Sequence, residues 1–225
     1  VPKPDALAIT HPDDLLTSPT TRLPVVIVLD TSASMSGEPL RELQEALGLF
    51  LKEVAADADA RESADVALVT VGGEVAVHRS FGLASSGAVA PLRASGNTPL
   101  GEGMATALEL LERRKAQYKA AGTPYFQPWL VVLTDGQPTD AYAAVSARTA
   151  RLVADKKLTV FPIGVGHAAD LDKLQALAGG IRPLRLKGLA FAELFKWLSA
   201  SVACASRSMP GQGVALPSPF TWVEL

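Results

Sequence analysis

The 225-residue chain is 48% hydrophobic, has a mean hydropathy of +0.21 and carries a formal net charge of −2. That composition supports a sizeable buried core and excludes global disorder, and a pI of about 6.0 leaves no basic footprint for nucleic acid. A single cysteine, Cys204, excludes an intramolecular disulfide, and no apolar run approaches the roughly 18 residues of a membrane-spanning helix.

In chain order, residues 1–22 are rich in Pro, Asp and Thr and read as an extended arm. A strand follows over 23–30, apolar until its closing aspartate, as expected of a strand buried on both faces of a parallel sheet. Ser36-Gly37-Glu38-Pro39 reads as a helix start with Ser36 as the capping hydroxyl, and the helix is expected to run to about Ala56. Leu40, Leu43, Leu47, Phe50, Leu51 and Val54 would share its buried face. Strands are predicted over 64–71 and 74–81, joined by Gly72-Gly73 as an antiparallel edge hairpin. A helix over about 99–120 follows the loop Ser95-Gly96-Asn97-Thr98-Pro99. Then come a strand (129–134), a helix (142–154), a strand (158–165), a short helix (171–178), a short strand (181–186) and a last helix (191–203).

The alternation implies an α/β, doubly wound Rossmann-like domain over 23–204: about six strands, mostly parallel with one antiparallel edge, and helices on both faces. Residues 205–225 are rich in Pro, Gly and Ser yet carry Phe220, Trp222 and Val223. They read as a tail that docks on the domain or on a neighbour. The N-terminus shows no basic region followed by an apolar one, so no signal peptide is expected and the cytoplasm is the default location.

Two apolar runs, Val25–Leu29 and Leu130–Leu133, lead into Asp30 and Asp135, and the first continues as D-x-S-x-S. In open α/β sheets ligands bind beyond the carboxyl ends of the strands. Asp30, Ser32, Ser34, Thr98 and Asp135 can therefore meet at one sheet edge. Carboxylate and hydroxyl oxygens are hard donors that suit Mg²⁺ or Mn²⁺ better than zinc. A cation held largely by neutral hydroxyls retains charge for an incoming Asp or Glu, with the two aspartates bound directly or through water. Asn97 and Gln137 could hydrogen-bond such an acid, although ordinary loop polarity explains them equally well.

The segments D-T-S-A-S-M-S-G, S-G-N-T-P-L and V-V-L-T-D-G resemble the metal-ion-dependent adhesion site (MIDAS) of von Willebrand factor type A (VWA) domains. By position, that resemblance implies Asp30, Ser32, Ser34, Thr98 and Asp135 as the metal site; Ala33 stands where relatives often have Gly. L-T-D-G-Q-P-T-D, I-G-V-G and F-K-W-L-S-A-S-V further resemble the TerY-like bacterial group associated with tellurite resistance and chemical stress. That likeness implies a protein-binding module with kinase-like or phosphatase-like partners, while the charge balance and the absence of a long apolar run lead us to expect no nucleic acid and no membrane. The tail itself offers a variant, self-association in which Glu224 or the Leu225 carboxylate enters a neighbour's site.

Other residues read more plainly. Asp140 is expected to cap the helix that follows it, the alternative being a place at the rim of the site. His11, His78 and His167 are scattered without metal-ligand spacing, and Cys204 reads as a small apolar residue. The D-T-S triplet lacks the all-β setting of aspartic proteases, and no phosphate-binding G-x-x-x-x-G-K-[ST] loop is present. The chain is not expected to be an enzyme. The alternative is a Mg²⁺-dependent phosphate-ester hydrolase using the same strand-end aspartates, for which no nucleophile or general base can be nominated.

Overall fold

The computed structural model describes residues 20–85, 89–209 and 213–224. Six strands form one sheet: β1 (Leu23–Asp30), β2 (Ala64–Gly72), β3 (Glu74–Arg79), β4 (Trp129–Thr134), β5 (Thr159–Val165) and β6 (Leu184–Leu186), in the order β3-β2-β1-β4-β5-β6. Only the β2–β3 pairing is antiparallel. The expected architecture is therefore present, and β1 lies centrally because the chain builds outward on one side of it and then crosses to the other.

Residues of β1 alternate between two apolar layers, as the period of a strand requires. Val25, Ile27 and Leu29 pack with α1 (Glu38–Ala56) and α6 (Phe191–Ser206), while Val26 and Val28 pack with α3 (Leu100–Ala121). Val145 of α4 (Ala143–Ala154) and Leu174 of α5 (Leu171–Leu177) complete the second layer. No helix among the described residues is long and apolar enough to cross a membrane.

Local chemistry departs from expectation at several ends. Ser36 does not cap α1: the N-cap is Gly37, at φ 86, and no side chain caps that end. Ser36 instead donates its N–H to Ala33 O, closing a 3-10 turn over Ala33–Met35. Asp140 does not cap α4, which starts after Tyr142 without a side-chain cap. Its carboxylate accepts from Gly101 N (2.9 Å) and Glu102 N (2.7 Å) at the start of α3. Pro99, at the N-cap of α3, has no acceptor side chain, so the unpaired N–H groups of that first turn find one across the fold.

A short helix, α2 (Ala58–Ser63), was not expected; Asp57 Oδ1 caps it by accepting from Asp59 N and Ala60 N. The third strand ends at Arg79 rather than 81, the sixth begins at Leu184 rather than 181, and α6 extends to Ser206. Shifts of about one to three residues are usual at element ends, where regular hydrogen bonding gives way to irregular contacts.

Residues 213–224 run back along the domain. Trp222 is 0% exposed, and its carbonyl accepts from Lys187 N (2.8 Å). Glu224 N donates to Arg185 O (2.9 Å), and Val223 bridges Leu186 in antiparallel fashion. Trp197 Nε1 donates to Pro217 O (2.8 Å), and the Trp197 and Trp222 rings lie 5.3 Å apart. The segment thus covers the open edge of β6, an otherwise unpaired row of backbone groups. Trp222→Ala removes a fully buried indole and is expected to lower the unfolding free energy by about 3–5 kcal/mol in denaturant titration. A change under about 1 kcal/mol would show that the segment contributes little to stability.

Candidate functional site

β1 and β4 run side by side, with Leu29 opposite Leu133, so Asp30 and Thr134 close the two strands together. The chain leaves β1 toward β2 and returns to β4 on the other side, which makes this edge the switch point of the sheet. Asp30 is 1% exposed. Its Oδ1 accepts from Ser32 N (2.9 Å) and its Oδ2 from Thr134 Oγ1 (2.6 Å). Ser32 and Ser34 share a hydrogen bond between their hydroxyls (2.9 Å), and Ser34 Oγ donates to Asp135 Oδ1 (2.9 Å). Buried Asp30 and Ser32 are thus linked to exposed Ser34 and half-buried Asp135, so the array opens to solvent at one end.

The loop carrying Thr98 is sewn to this edge by backbone bonds. Ser95 N donates to Thr31 O (2.9 Å), Ala33 N to Gly96 O (3.0 Å) and Gly73 N to Asn97 O (2.7 Å). The approach is close enough to require glycine. A Cβ on Gly72 would lie 2.2 Å from Thr31 O, and one on Gly96, at φ +56, 2.5 Å from the Gly73 Cα. Thr98 is 5% exposed, and its Oγ1 lies 3.6 Å from where a Cβ on Gly136 would stand. Its carbonyl accepts from Thr139 N (3.0 Å), which fixes the loop after Asp135 beside it.

The structure therefore brings Asp30, Ser32, Ser34 and Asp135 into one hydrogen-bonded array, with Thr98 beside Gly136. Gln137 lies next to that array, but its Oε1 already accepts from Lys173 Nζ (2.6 Å). Asn97 is exposed at the same edge. Of the histidines, His78 Nε2 is 2.9 Å from Ala90 O, His167 Nε2 is 4.0 Å from Glu224 Oε1 of the same chain, and His11 lies outside the described residues, as does Leu225. Cys204 is a free, partly exposed thiol. Thr134 was missed by sequence reasoning. Its Oγ1 donates to Asp30 and accepts from Gly136 N (3.2 Å), so one hydroxyl orients both aspartate loops. The available signal was parity: Asp30 follows Val26 and Val28 on one face of its strand, and Thr134 follows Leu130 and Val132 on the same face.

A doubly wound sheet with carboxylates and hydroxyls gathered at its switch point defines a class of α/β binding domain. A family model for the von Willebrand factor type A domain matches residues 25–190, and the chain belongs to that family. Its members are generally protein-interaction modules, and they often bind a divalent metal at a MIDAS.

Inter-alpha-trypsin inhibitor heavy chain H4 of Sus scrofa is 28% identical over 169 residues, 70% of this chain and 17% of that protein. Among solved structures, proximal thread matrix protein 1 from the mussel byssus superposes with a TM-score of 0.59 at 17% identity, covering 82% of this chain and 49% of that one. The same mussel protein is also known with a zinc-occupied MIDAS motif (TM-score 0.57, 18% identity). The vWF domain of the type V pili tip protein Mfa5 from Porphyromonas gingivalis gives a TM-score of 0.60 at 13% identity, covering 86% of this chain and 99% of that one. The chain thus spans a sixth to a half of the porcine and mussel proteins and nearly all of the Mfa5 domain. At these identities the structural likenesses establish the fold.

The donor set fits a hard divalent cation. Two carboxylates and two serine hydroxyls are already within hydrogen-bonding range of one another, and the nearly buried Thr98 hydroxyl engages no partner among the described residues. Burial pushes the Asp135 carboxyl above its ordinary value; the Asp30 charge adds to the shift and the Ser34 hydrogen bond opposes it. The folded, metal-free protein therefore holds this proton more tightly than the unfolded chain does. The resulting stabilisation is complete below the unfolded carboxyl value, near pH 4, and is lost as pH rises through the raised folded value. Asp135→Asn is accordingly expected to raise the Tm of chelator-treated protein at pH 7, and the gain should shrink as pH falls toward about 4. An equal or lower Tm at pH 7 would contradict this electrostatic reading.

Proposed function

We propose that this chain is a divalent-cation-dependent protein-binding module whose MIDAS comprises Asp30, Ser32, Ser34, Thr98 and Asp135. The observation that carries the reading is a contrast between two buried carboxylates. Asp65, at the far end of β2, is paired with the Arg114 guanidinium (2.5 Å). Asp30 is equally buried and has no basic partner among the described residues; the Ser32 N–H and the Thr134 hydroxyl donate to it, and the Asp135 carboxyl lies beside it. An ionised carboxylate out of water demands positive charge, and the oxygen array around Asp30 is built to hold it.

Ser32, Ser34 and Thr98 would offer neutral oxygens, and Asp30 and Asp135 the negative charge. A bound Mg²⁺ or Mn²⁺ would supply an acceptor for an Asp or Glu side chain of the partner. The exposed Ser34–Asp135 end is the side from which such an acid can approach. The spelling of the motifs supports a place in the TerY-like stress-response group, so kinase-like and phosphatase-like proteins of such a system are the first partners to try. Zinc belongs in the same titrations, given its presence in the MIDAS motif of the mussel protein.

Calorimetric titration of Mg²⁺ and Mn²⁺ into chelator-stripped protein is expected to show one saturable site. Asp30→Ala should abolish the heat, and Ser34→Ala should weaken binding by about tenfold, the scale of one lost charge-assisted contact. Capture of an acidic partner should be lost in EDTA. The absence of heat from well-folded parent protein would end the proposal. Metal-dependent cleavage of p-nitrophenyl phosphate that is lost in Asp30→Ala would replace it with the hydrolase.

A further inference from the structure

At the opposite edge of the sheet, the first residues of β1, β4 and β5 (Leu23, Trp129 and Thr159) line a cavity of about 690 Å³. That is within the roughly 300–1,000 Å³ of ligand sites. One wall is aromatic: the Trp129 and Phe161 rings meet edge to face with centroids 5.1 Å apart. The other is cationic. Lys115, Lys119, Lys156 and Lys157 line the cavity, and no acidic residue does among those described. In a chain with 21 basic and 23 acidic residues, this clustering does not follow from composition.

Two of the four charges are already matched. Lys115 Nζ donates to Glu112 Oε1 (2.6 Å) and Lys157 Nζ to Asp155 Oδ2 (2.9 Å). Lys119 and Lys156 have no side-chain partner among the described residues. Lys156 is also the sole non-glycine there with positive φ, at 55°. Lys156 N donates to Val153 O (3.0 Å) and Lys157 N to Leu152 O (2.8 Å). This pair of bonds makes a Schellman turn closing α4, whose left-handed residue is ordinarily glycine. A lysine in that slot sacrifices backbone stability and places a cation at the cavity wall. Strain of this kind points to a use for the side chain.

We propose that this cavity is a second ligand site, for a small amphipathic organic anion. The acidic group pairs with Lys119 and Lys156, and the apolar body lies against Trp129 and Phe161. Lysines serve as point charges for carboxylate, sulfonate or phosphate, and the aromatic pair rewards a ring or short aliphatic chain. Neither wall contains a residue of the Asp30 array, so the site does not rest on the metal-binding reading.

The test uses the full chain in EDTA, titrated with 1-anilinonaphthalene-8-sulfonate and with N-phenyl-1-naphthylamine, a matched probe without the sulfonate. Binding is read by dye fluorescence and by energy transfer from tryptophan. The sulfonate is expected to bind saturably, one per chain, at least tenfold more tightly than the uncharged dye. The K119A/K156A double variant should weaken the sulfonate at least tenfold and leave the uncharged dye unchanged. K156G should raise the Tm by about 2–4 °C, the scale of relieving one strained residue in a chain of this size, and still weaken the sulfonate. Three results would overturn the proposal: no saturable binding, equal affinity for the two dyes, or unaltered sulfonate affinity in K119A/K156A protein that keeps the parent's circular dichroism. With chelator present throughout and every metal-site oxygen intact, none of these outcomes depends on whether the Asp30 array binds a cation.

Discussion

A carboxylate with no cationic partner among the described residues sits at the end of the central strand, and the geometry of the surrounding edge follows from how it is satisfied. Asp30 accepts from the Ser32 N–H and the Thr134 hydroxyl. The first bond sets the turn that carries Ser32 and Ser34. The second ties β1 to β4 where the chain changes direction. From there Ser34 reaches Asp135, and Thr134 also receives the Gly136 N–H. Remove the carboxylate and both loops lose a common anchor. Keep it, and the fold retains a buried negative charge that neutral donors satisfy in hydrogen-bonding terms but do not neutralise.

The two ends of the sheet solve this problem differently. At the far edge, Asp65 accepts from both Arg114 and Tyr118, and burial beside that carboxylate pushes the Tyr118 hydroxyl well above its usual value. Arg114 also lies over the Phe81 and Tyr118 rings, so its charge is sequestered in packing. That cluster locks the second half of α3 to the start of β2, with both donors on Asp65 Oδ2 and its Oδ1 buried without a hydrogen-bond partner among the described residues. At the Asp30 edge both carboxylate oxygens are hydrogen-bonded by neutral donors, and the array opens to solvent through Ser34 and Asp135. The lysine-lined cavity lies at the end where β1 begins, an eight-residue strand away, or roughly 26 Å at the usual rise. Exposed charges at that separation are largely screened from one another at physiological salt.

Much of this architecture is legible in local sequence because the relevant forces are local or periodic. Uninterrupted apolar runs mark strands buried on both faces, and the Gly72-Gly73 hairpin marks the antiparallel edge. The aspartates that close or follow such runs must emerge at one edge of a parallel sheet. Other features escaped for physical reasons. The helix over Ala58–Ser63 is six residues long and has too few apolar residues for a stripe; its one signal is the cap at Asp57. Ile181 reads as part of the sixth strand, but Pro183 has no N–H to give a ladder, and only Leu184–Leu186 pair with β5. Asp140 precedes one helix and caps another, a choice that depends on which orphan N–H groups come within reach after folding.

Chain order, side-chain period and residue chemistry thus sufficed to predict a doubly wound sheet and to gather five oxygen-bearing side chains as candidates, because each signal lies within a few residues of the atoms it concerns. Packing decided the rest. It placed Thr134 against Asp30 across 104 positions, closed Gly72 and Gly96 onto neighbouring backbone, and laid Trp222 over the sheet edge. It also drew lysines from α3 and from the turn after α4 around one aromatic wall. Such encounters join segments far apart in the chain, and hydrogen-bond reach and steric fit between them exist only once the layers have docked.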